Sequence, residues 1–336
     1  MYTLTNIDQY HFPSGPDSET YVLEAHRTAA GLATVSSDQA LSLFDPSRVG
    51  SGPLASLRTD HGNVTTMRAF DAATGVVCTA GEDGSVGVWD LRAGASARVA
   101  RFRAGQASIL SMACSPSTQT IAVGTELENH AASIHLWDVR STPSPKATYS
   151  EVHSDDITSL AFHPTRPQIL ISGSTDGLAS VHDTSVPDED ELTVQTLNHN
   201  ASIHDAAFLN DTEVFALSHD ECFAVWDVAE ERVGGDAIKD FGDLRKVLGC
   251  QYVANVVTKV DGSGAILGAG AQDKQNFELI FLSKAANNEW ALDLDNRVVL
   301  PGSHGSEIVR SFCFFDDEQV VFTTGEDGNV KAWRAG

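Results

Sequence analysis

Four short apolar stretches of this chain end alike: Val88-Trp89-Asp90, Leu136-Trp137-Asp138, Val181-His182-Asp183 and Val225-Trp226-Asp227. Leu43-Phe44-Asp45 precedes them and Ala332-Trp333-Arg334 follows. The ring-bearing position falls at 44, 89, 137, 182 and 226, with gaps of 45, 48, 45 and 44 residues. From 226 to 333 is 107 residues, room for two further units, with Phe277–Leu282 as the third strand of the one in between. A fixed period of this size constrains the fold more than any single residue does. Each unit is one supersecondary piece that buries its apolar faces only against its neighbours.

Other landmarks keep step with the first. An Asp stands six residues before the ring position in five units: Asp38, Asp83, Asp176, Asp220 and Asp327. A His stands 21 to 23 residues before four of these: His61, His153, His199 and His304. A hydroxyl stands four residues before the Asp at Thr34, Thr79, Ser172 and Thr323. Stretches such as Gly75-Val-Val-Cys-Thr-Ala80 and Gln319-Val-Val-Phe-Thr-Thr324 read as strands, and Glu-Asp-Gly at 82–84 and 326–328 and Thr-Asp-Gly at 175–177 read as turns. No stretch has an amphipathic helical period of useful length. The expectation is an all-β chain.

These residues resemble the WD-repeat family of β-propellers over essentially the whole chain. The resemblance implies a single domain, 1–336, with four antiparallel strands per unit arranged as blades around a channel. Counting third strands gives seven blades, at 18–59, 60–104, 105–151, 152–197, 198–247, 248–301 and 302–336. The last has only three strands of its own, and residues 2–10 are expected to pair with it and close the ring, removing an open edge. The resemblance also assigns the recurring His, hydroxyl, Asp and Trp to a structural tetrad, complete in His61-Thr79-Asp83-Trp89 and His304-Thr323-Asp327-Trp333. His153, Ser172 and Asp176 form a set in which His182 replaces Trp; His199, Asp220 and Trp226 form one in which Ala216 removes the hydroxyl. The third unit has Gln106 near the His position and an enlarged turn at 126–132. The sixth keeps only Asp273. Phe241-Gly-Asp-Leu-Arg-Lys246, Cys250-Gln-Tyr252 and His304–Phe312 with Thr324–Gly328 are similar to the WD-repeat-containing protein 89 subfamily, with Arg245 and Arg310 expected to pair with neighbouring acids.

Charge narrows the partners. The chain carries 22 Lys and Arg against 46 Asp and Glu, a formal charge of −24. Such a surface disfavours binding to DNA or anionic lipid through charge alone. No apolar run reaches the roughly 18–20 residues that span a bilayer, and no secretory leader is expected at the start. The five cysteines are scattered without a CxxC pair, which points to a reducing compartment, cytoplasmic or nuclear. No G-x-S-x-G elbow, phosphate loop, zinc pair or dinucleotide fingerprint occurs, so no enzyme, metal or cofactor is expected. Acids cluster at 155–156, 188–191, 230–231 and 316–318. The expected partner-binding rim comprises Glu82, Asp155, Asp156, Thr175, His219, Glu307, Arg310 and Glu326, on the end carrying the second-to-third-strand turns. The reading is a monomeric protein-interaction scaffold whose acidic rim takes a basic protein segment, as a chaperone or assembly factor for a ribosomal or histone-like client. Two alternatives stand beside it: a hydrolase resembling the WD-repeat diphthine methylesterases, marked by a His meeting a Ser or Cys outside any tetrad, and an RNA-associated factor using Arg92, Arg98, Arg101 and Arg103.

Overall fold

The computed structural model describes residues 1–14, 19–141, 143–229 and 235–336. A first strand, β1 (Tyr2–His11), precedes a regular series. The first sheet holds β2 (Val22–Thr28), β3 (Gly31–Ser36), β4 (Ala40–Phe44) and β5 (Ala55–Arg58); the second holds β6 (Val64–Asp71), β7 (Val76–Gly81), β8 (Ser85–Asp90) and β9 (Arg98–Arg103). The third is β10 (Ile109–Ser115), β11 (Thr120–Thr125), β12 (Ile134–Asp138) and β13 (Ala147–Tyr149). Then come β14 (Ile157–Phe162), β15 (Ile169–Ser174), β16 (Leu178–Asp183) and β17 (Thr193–Asn198). The fifth sheet is β18 (Ile203–Phe208), β19 (Glu213–Ser218), β20 (Cys222–Asp227) and β21 (Lys239–Asp243). A five-residue helix, α1 (Leu244–Leu248), capped by Asp243, leads out of it. The last two sets are β22 (Tyr252–Thr258), β23 (Gly264–Ala271), β24 (Asn276–Lys284) and β25 (Trp290–Pro301), and β26 (Val309–Phe315), β27 (Val320–Gly325) and β28 (Asn329–Ala335).

Burial follows position in each sheet. Second strands are buried residue after residue, as in β3, β11, β15, β19 and β27, because both faces meet neighbouring sheets. Their sequences are accordingly runs of small and β-branched residues rather than alternations. Outer strands such as β9 and β17 return to alternation, with one side in solvent.

First strands share a device that the sequence period does not display. Each has a buried β-branched residue at its first position, or in β22 its second, and then slips register: after Val22, Val64, Ile109, Ile157, Ile203, Val253 and Val309. Such bulges bend a strand and re-aim the next side chain. The polar residue behind the bulge then stitches neighbouring sheets. Ser111 Oγ donates to Ile157 O (2.7 Å), Ser159 Oγ to Ala206 O (3.1 Å), and Ser311 Oγ accepts from Ala25 N (3.3 Å). Glu24 accepts from Met67 N and from Arg68; burial pushes its carboxyl up, and the Arg68 charge together with the bonds from His26 and Met67 holds it below its ordinary range.

The first strands also give the order around the ring. β2 lies against β6, β6 against β10, β10 against β14, β14 against β18, β18 against β22, β22 against β26, and β26 returns to β2. β1 runs antiparallel to β28, with Leu4 opposite Ala335 and His11 opposite Asn329, and adds a short parallel contact of Tyr2 with Val298. Chain start and chain end thus share one sheet, and the ring is closed by the strand that sequence reasoning assigned to this place. Asp8 accepts from Gly50 N (2.9 Å), and Tyr10 and Phe12 pack on Phe44, fixing β1 to the first sheet as well.

Candidate functional site

The site in question is the ring end that carries the second-to-third-strand turns. Glycine makes the commonest turn possible: Gly84, Gly177 and Gly328 have φ of 70°, 87° and 72°. Gln39 and Glu221 hold the corresponding place with φ of 69° and 61°, at a cost of about 1–2 kcal/mol each. One residue of each turn donates its amide to the link entering the same sheet: Glu82 to Asn63 O, Glu126 to Ser108 O, Thr175 to Asp156 O, His219 to Ser202 O and Glu326 to Ile308 O, all within 2.9–3.0 Å. Turn and link are therefore one surface. Glu126, which sequence reasoning left inside an enlarged turn, holds the same place as Glu82; the signal was its position one residue beyond a buried second strand.

Beneath this surface lie the polar quartets. His61 Nδ1 donates to Asp83 (3.1 Å), Thr79 Oγ1 donates to His61 Nε2 (2.8 Å), and Trp89 Nε1 donates to the same hydroxyl (2.8 Å). The last unit repeats this with His304–Asp327 (2.6 Å), His304–Thr323 (2.9 Å) and Trp333–Thr323 (2.9 Å). The hydroxyl donates to the imidazole and accepts from the indole when the imidazole is neutral with its proton on Nδ1. Burial supplies that condition, pushing the His61 and His304 pKa values down. Asp327 is held at about 2, where bonds from His304 and Asn329 overcome burial.

The fourth unit solves the loss of Trp with a second imidazole. Ser172 Oγ lies 2.7 Å from His153 Nε2 and 2.7 Å from His182 Nε2, and His153 Nδ1 reaches Asp176 at 3.0 Å. Burial, followed by the His153 charge, depresses the His182 pKa to about 3. Asp176, His153 and Ser172 have the composition of a hydrolytic triad, but Ser172 is fully buried and both sides of its hydroxyl are taken.

The fifth unit departs from the sequence expectation. His199 bonds Cys222 O (3.1 Å), not Asp220, which is exposed, and Ser218 Oγ accepts the Cys222 amide that an Asp accepts elsewhere. With Ala216 in the hydroxyl position no hydroxyl links His199 to Trp226, whose rings meet only edge to face at 5.6 Å, so the hydrogen-bonded set does not assemble. Thr34 has no His or Trp to serve, and its hydroxyl is buried without a partner. Among the described residues Asp273 makes no quartet contact; its backbone amide donates to Gln251.

The sequence-derived rim residues occupy this end in two groups. Glu82, Thr175, His219 and Glu326 sit on turns, and Asp155, Asp156 and Glu307 on links, while Arg310 is the bulge residue of β26. Arg310 bonds Glu326 (Nε, 2.8 Å), and Arg245 bonds Asp243 (2.9 Å). Asp156 accepts from Leu127 N (2.7 Å), bracing the 126–132 turn, and the Thr175 hydroxyl is buried without a partner. Among the described residues, Glu82, Asp155, Asp156 and Glu307 have no cationic partner. The basic cluster is neutralised instead: Arg92 meets Asp90 (2.7 Å), Arg98 meets Asp60 (3.2 Å), and Arg101 and Arg103 meet Asp83 (2.6 and 3.6 Å). His219 Nδ1 lies 3.1 Å from Ser202 Oγ, a His–Ser contact outside any quartet, with the His204 ring 5.1 Å away. The acid pair at 230–231 lies outside the described residues. Among those residues no helix is long and apolar enough to cross a membrane, and no group of three or more His, Cys, Asp or Glu has metal-ligand geometry.

Comparison with known proteins agrees with this geometry. The family model described as "WD domain, G-beta repeat" matches residues 52–90, 144–183 and 296–334. An uncharacterised WD repeat-containing protein of Schizosaccharomyces pombe is 32% identical over 286 residues, covering 82% of this chain and 83% of its own. The WD repeat-containing protein 89 homolog of Dictyostelium discoideum is 26% identical over 70% of this chain and 62% of its own. A chain from a crystal structure of a mitotic checkpoint complex superposes with a TM-score of 0.74 at 17% identity, over 99% of this chain and 93% of that one, which is a likeness of fold. The chain belongs to the WD-repeat family.

Proposed function

We propose that this protein is a non-enzymatic, seven-bladed interaction scaffold whose turn-bearing end receives a basic segment of another protein. The observation that carries the reading is the imbalance of pairing at that end. Among the described residues Glu82, Asp155, Asp156 and Glu307 are left without cations, while Arg98 is spent on Asp60 and Arg101 and Arg103 on Asp83. A surface of one sign raises the rate of encounter with an oppositely charged segment and sets its orientation. The bulges and quartets supply the rigid platform. A Lys- or Arg-rich client in the cytoplasm or nucleus, of the ribosomal or histone kind, fits this field, and shielding such a client until assembly fits a chaperone role.

Affinity capture with the wild type and with a Glu82→Gln/Asp155→Asn/Asp156→Asn/Glu307→Gln variant tests this at two salt concentrations. The wild type is expected to retain basic proteins that the variant loses and that salt elutes. Equal retention by both would defeat the proposal.

The Ser202–His219 contact favours one second reading, a hydrolase. It is the weaker one, because among the described residues no acid bonds the imidazole from its far side and both residues lie on the surface. Ester hydrolysis abolished by Ser202→Ala would establish it.

A further inference from the structure

A cavity of about 530 Å³ opens between the link at 198–201 and the strands β20 and β21, lined by Asn198, His199, Trp226, Asp236, Asp240 and Gly242 among others. It lies where the fifth unit failed to assemble its quartet. Trp226 is 3% exposed, yet its indole N–H makes no hydrogen bond within the described residues, because Ala216 stands where Thr79 and Thr323 accept from Trp89 and Trp333. Trp226 lines the cavity, so this unpaired donor is open to an acceptor supplied from outside.

The other units show what belongs on this ground. The position two residues before the ring residue faces the outer strand, and in five of the other units its side chain makes a polar contact. Ser42 meets Ser56 (3.2 Å), His135 meets Thr148 (3.0 Å), Ser180 meets Thr196 (3.3 Å), Glu278 meets Arg297 (3.1 Å) and Lys331 approaches Asp327 (3.6 Å). In the second unit Gly87 faces Arg101, whose guanidinium reaches Ser85 (3.1 Å) and Asp83 (2.6 Å), while Arg98 lies over the Trp89 ring at 5.8 Å and bonds Asp60. In the fifth unit the facing pair is Ala224 and Asp240. Among the described residues no cation stands there, and Asp236 and Asp240 border the cavity. No described Lys or Arg pairs with Asp236 or Asp240.

We propose that this cavity receives an arginine side chain from the partner's basic segment, its guanidinium between Asp236 and Asp240 and an adjacent backbone carbonyl of the partner on the Trp226 N–H. Guanidinium is the cation whose planar donor fork matches carboxylates, and the chain's own second unit places one beside the equivalent Trp. The inference rests on the basic-segment reading and adds to the rim a pocket that selects arginine.

The test follows the Trp226 indole resonance in ¹⁵N-tryptophan-labelled full-length protein, assigned by Trp226→Phe, during titration with N-acetyl-arginine-N-methylamide. The expected result is a shift of the Trp226 signal alone, with a dissociation constant on the order of 1 mM. The probe is expected to bind at least about threefold more weakly to an Asp236→Asn/Asp240→Asn variant. Ala216→Thr, which hands the indole an internal acceptor, is expected to reduce the shift while the protein stays folded. An unmoved signal at about 10 mM probe, or an equal response to the uncharged citrulline analogue, overturns the proposal. Tighter binding of free arginine than of the capped residue overturns the protein source in favour of an amino-acid ligand. A rim variant that retains basic proteins as well as the wild type does, while Trp226 responds to the probe, marks failure of the rim alone; a rim variant that loses them while the Trp226 signal stays unmoved marks failure of the pocket alone.

Discussion

Thr323→Val keeps the size of a fully buried side chain and removes one oxygen. That oxygen bonds His304 Nε2 and Trp333 Nε1, each at 2.9 Å, with no water access. Two hydrogen bonds are worth about 1 kcal/mol each net, and stranding the indole N–H adds about 1 kcal/mol or more, for a total near 3 kcal/mol. Unfolding entropy of about 2.1 cal/mol/K per residue over 336 residues gives about 0.7 kcal/mol/K, so the melting midpoint is expected to fall by about 4 °C. Thr34→Val is the matched control. It removes a buried hydroxyl that has no partner, and is expected to leave the midpoint unchanged or raise it by about 1 °C. Calorimetry on both variants decides the matter. If Thr34→Val costs as much as Thr323→Val, the quartet is not a bonded unit and the cost belongs to the position in the strand.

Two further outcomes concern pH. His182 is held neutral in the fold, its pKa near 3 against 6.5 in the unfolded chain, so its contribution is complete above pH 6.5 and is lost toward pH 3 at about 1.4 kcal/mol per unit. His182→Gln keeps a donor for Ser172 and cannot titrate; between pH 6.5 and 4.5 its melting midpoint is expected to drop about 4 °C less than the wild type's, and parallel curves would contradict the neutral imidazole. Glu221 has the opposite sign. Burial raises its pKa to about 7, so its contribution is present below pH 4.5 and lost as pH rises through 7. Glu221→Gln is therefore expected to gain thermal stability relative to wild type on going from pH 5 to pH 8, and no change in the difference would refute the shift.

Much of this architecture was legible because ring closure repeats one set of spacings, and a repeated spacing survives the loss of individual residues. His182 kept its place in the period although it is not Trp, and β24 was found in the unit that lost its other landmarks. The inter-sheet stitching was not legible. Ser111, Ser159 and Ser311 act because a bulge turns them toward the next sheet, and a register slip leaves no mark in residue type. The fifth quartet misled for a related reason: Asp220 has the right spacing, but without a hydroxyl at 216 nothing holds His199 toward it, and Ser218 takes over the turn amide. The open ground near Trp226 is the consequence, and it could be read only once Ala224 and Asp240 were seen to face each other.

The rim and the pocket are both consequences of a ring closed by β1, and amide hydrogen exchange of residues 4–11 tests that closure most directly. Pairing with β28 predicts that the amides of β1 facing that strand exchange at least about 1,000-fold more slowly than in a free peptide, in step with β28 itself. Exchange of this segment at the free-peptide rate, with β28 still protected, would show an open ring and contradict the account.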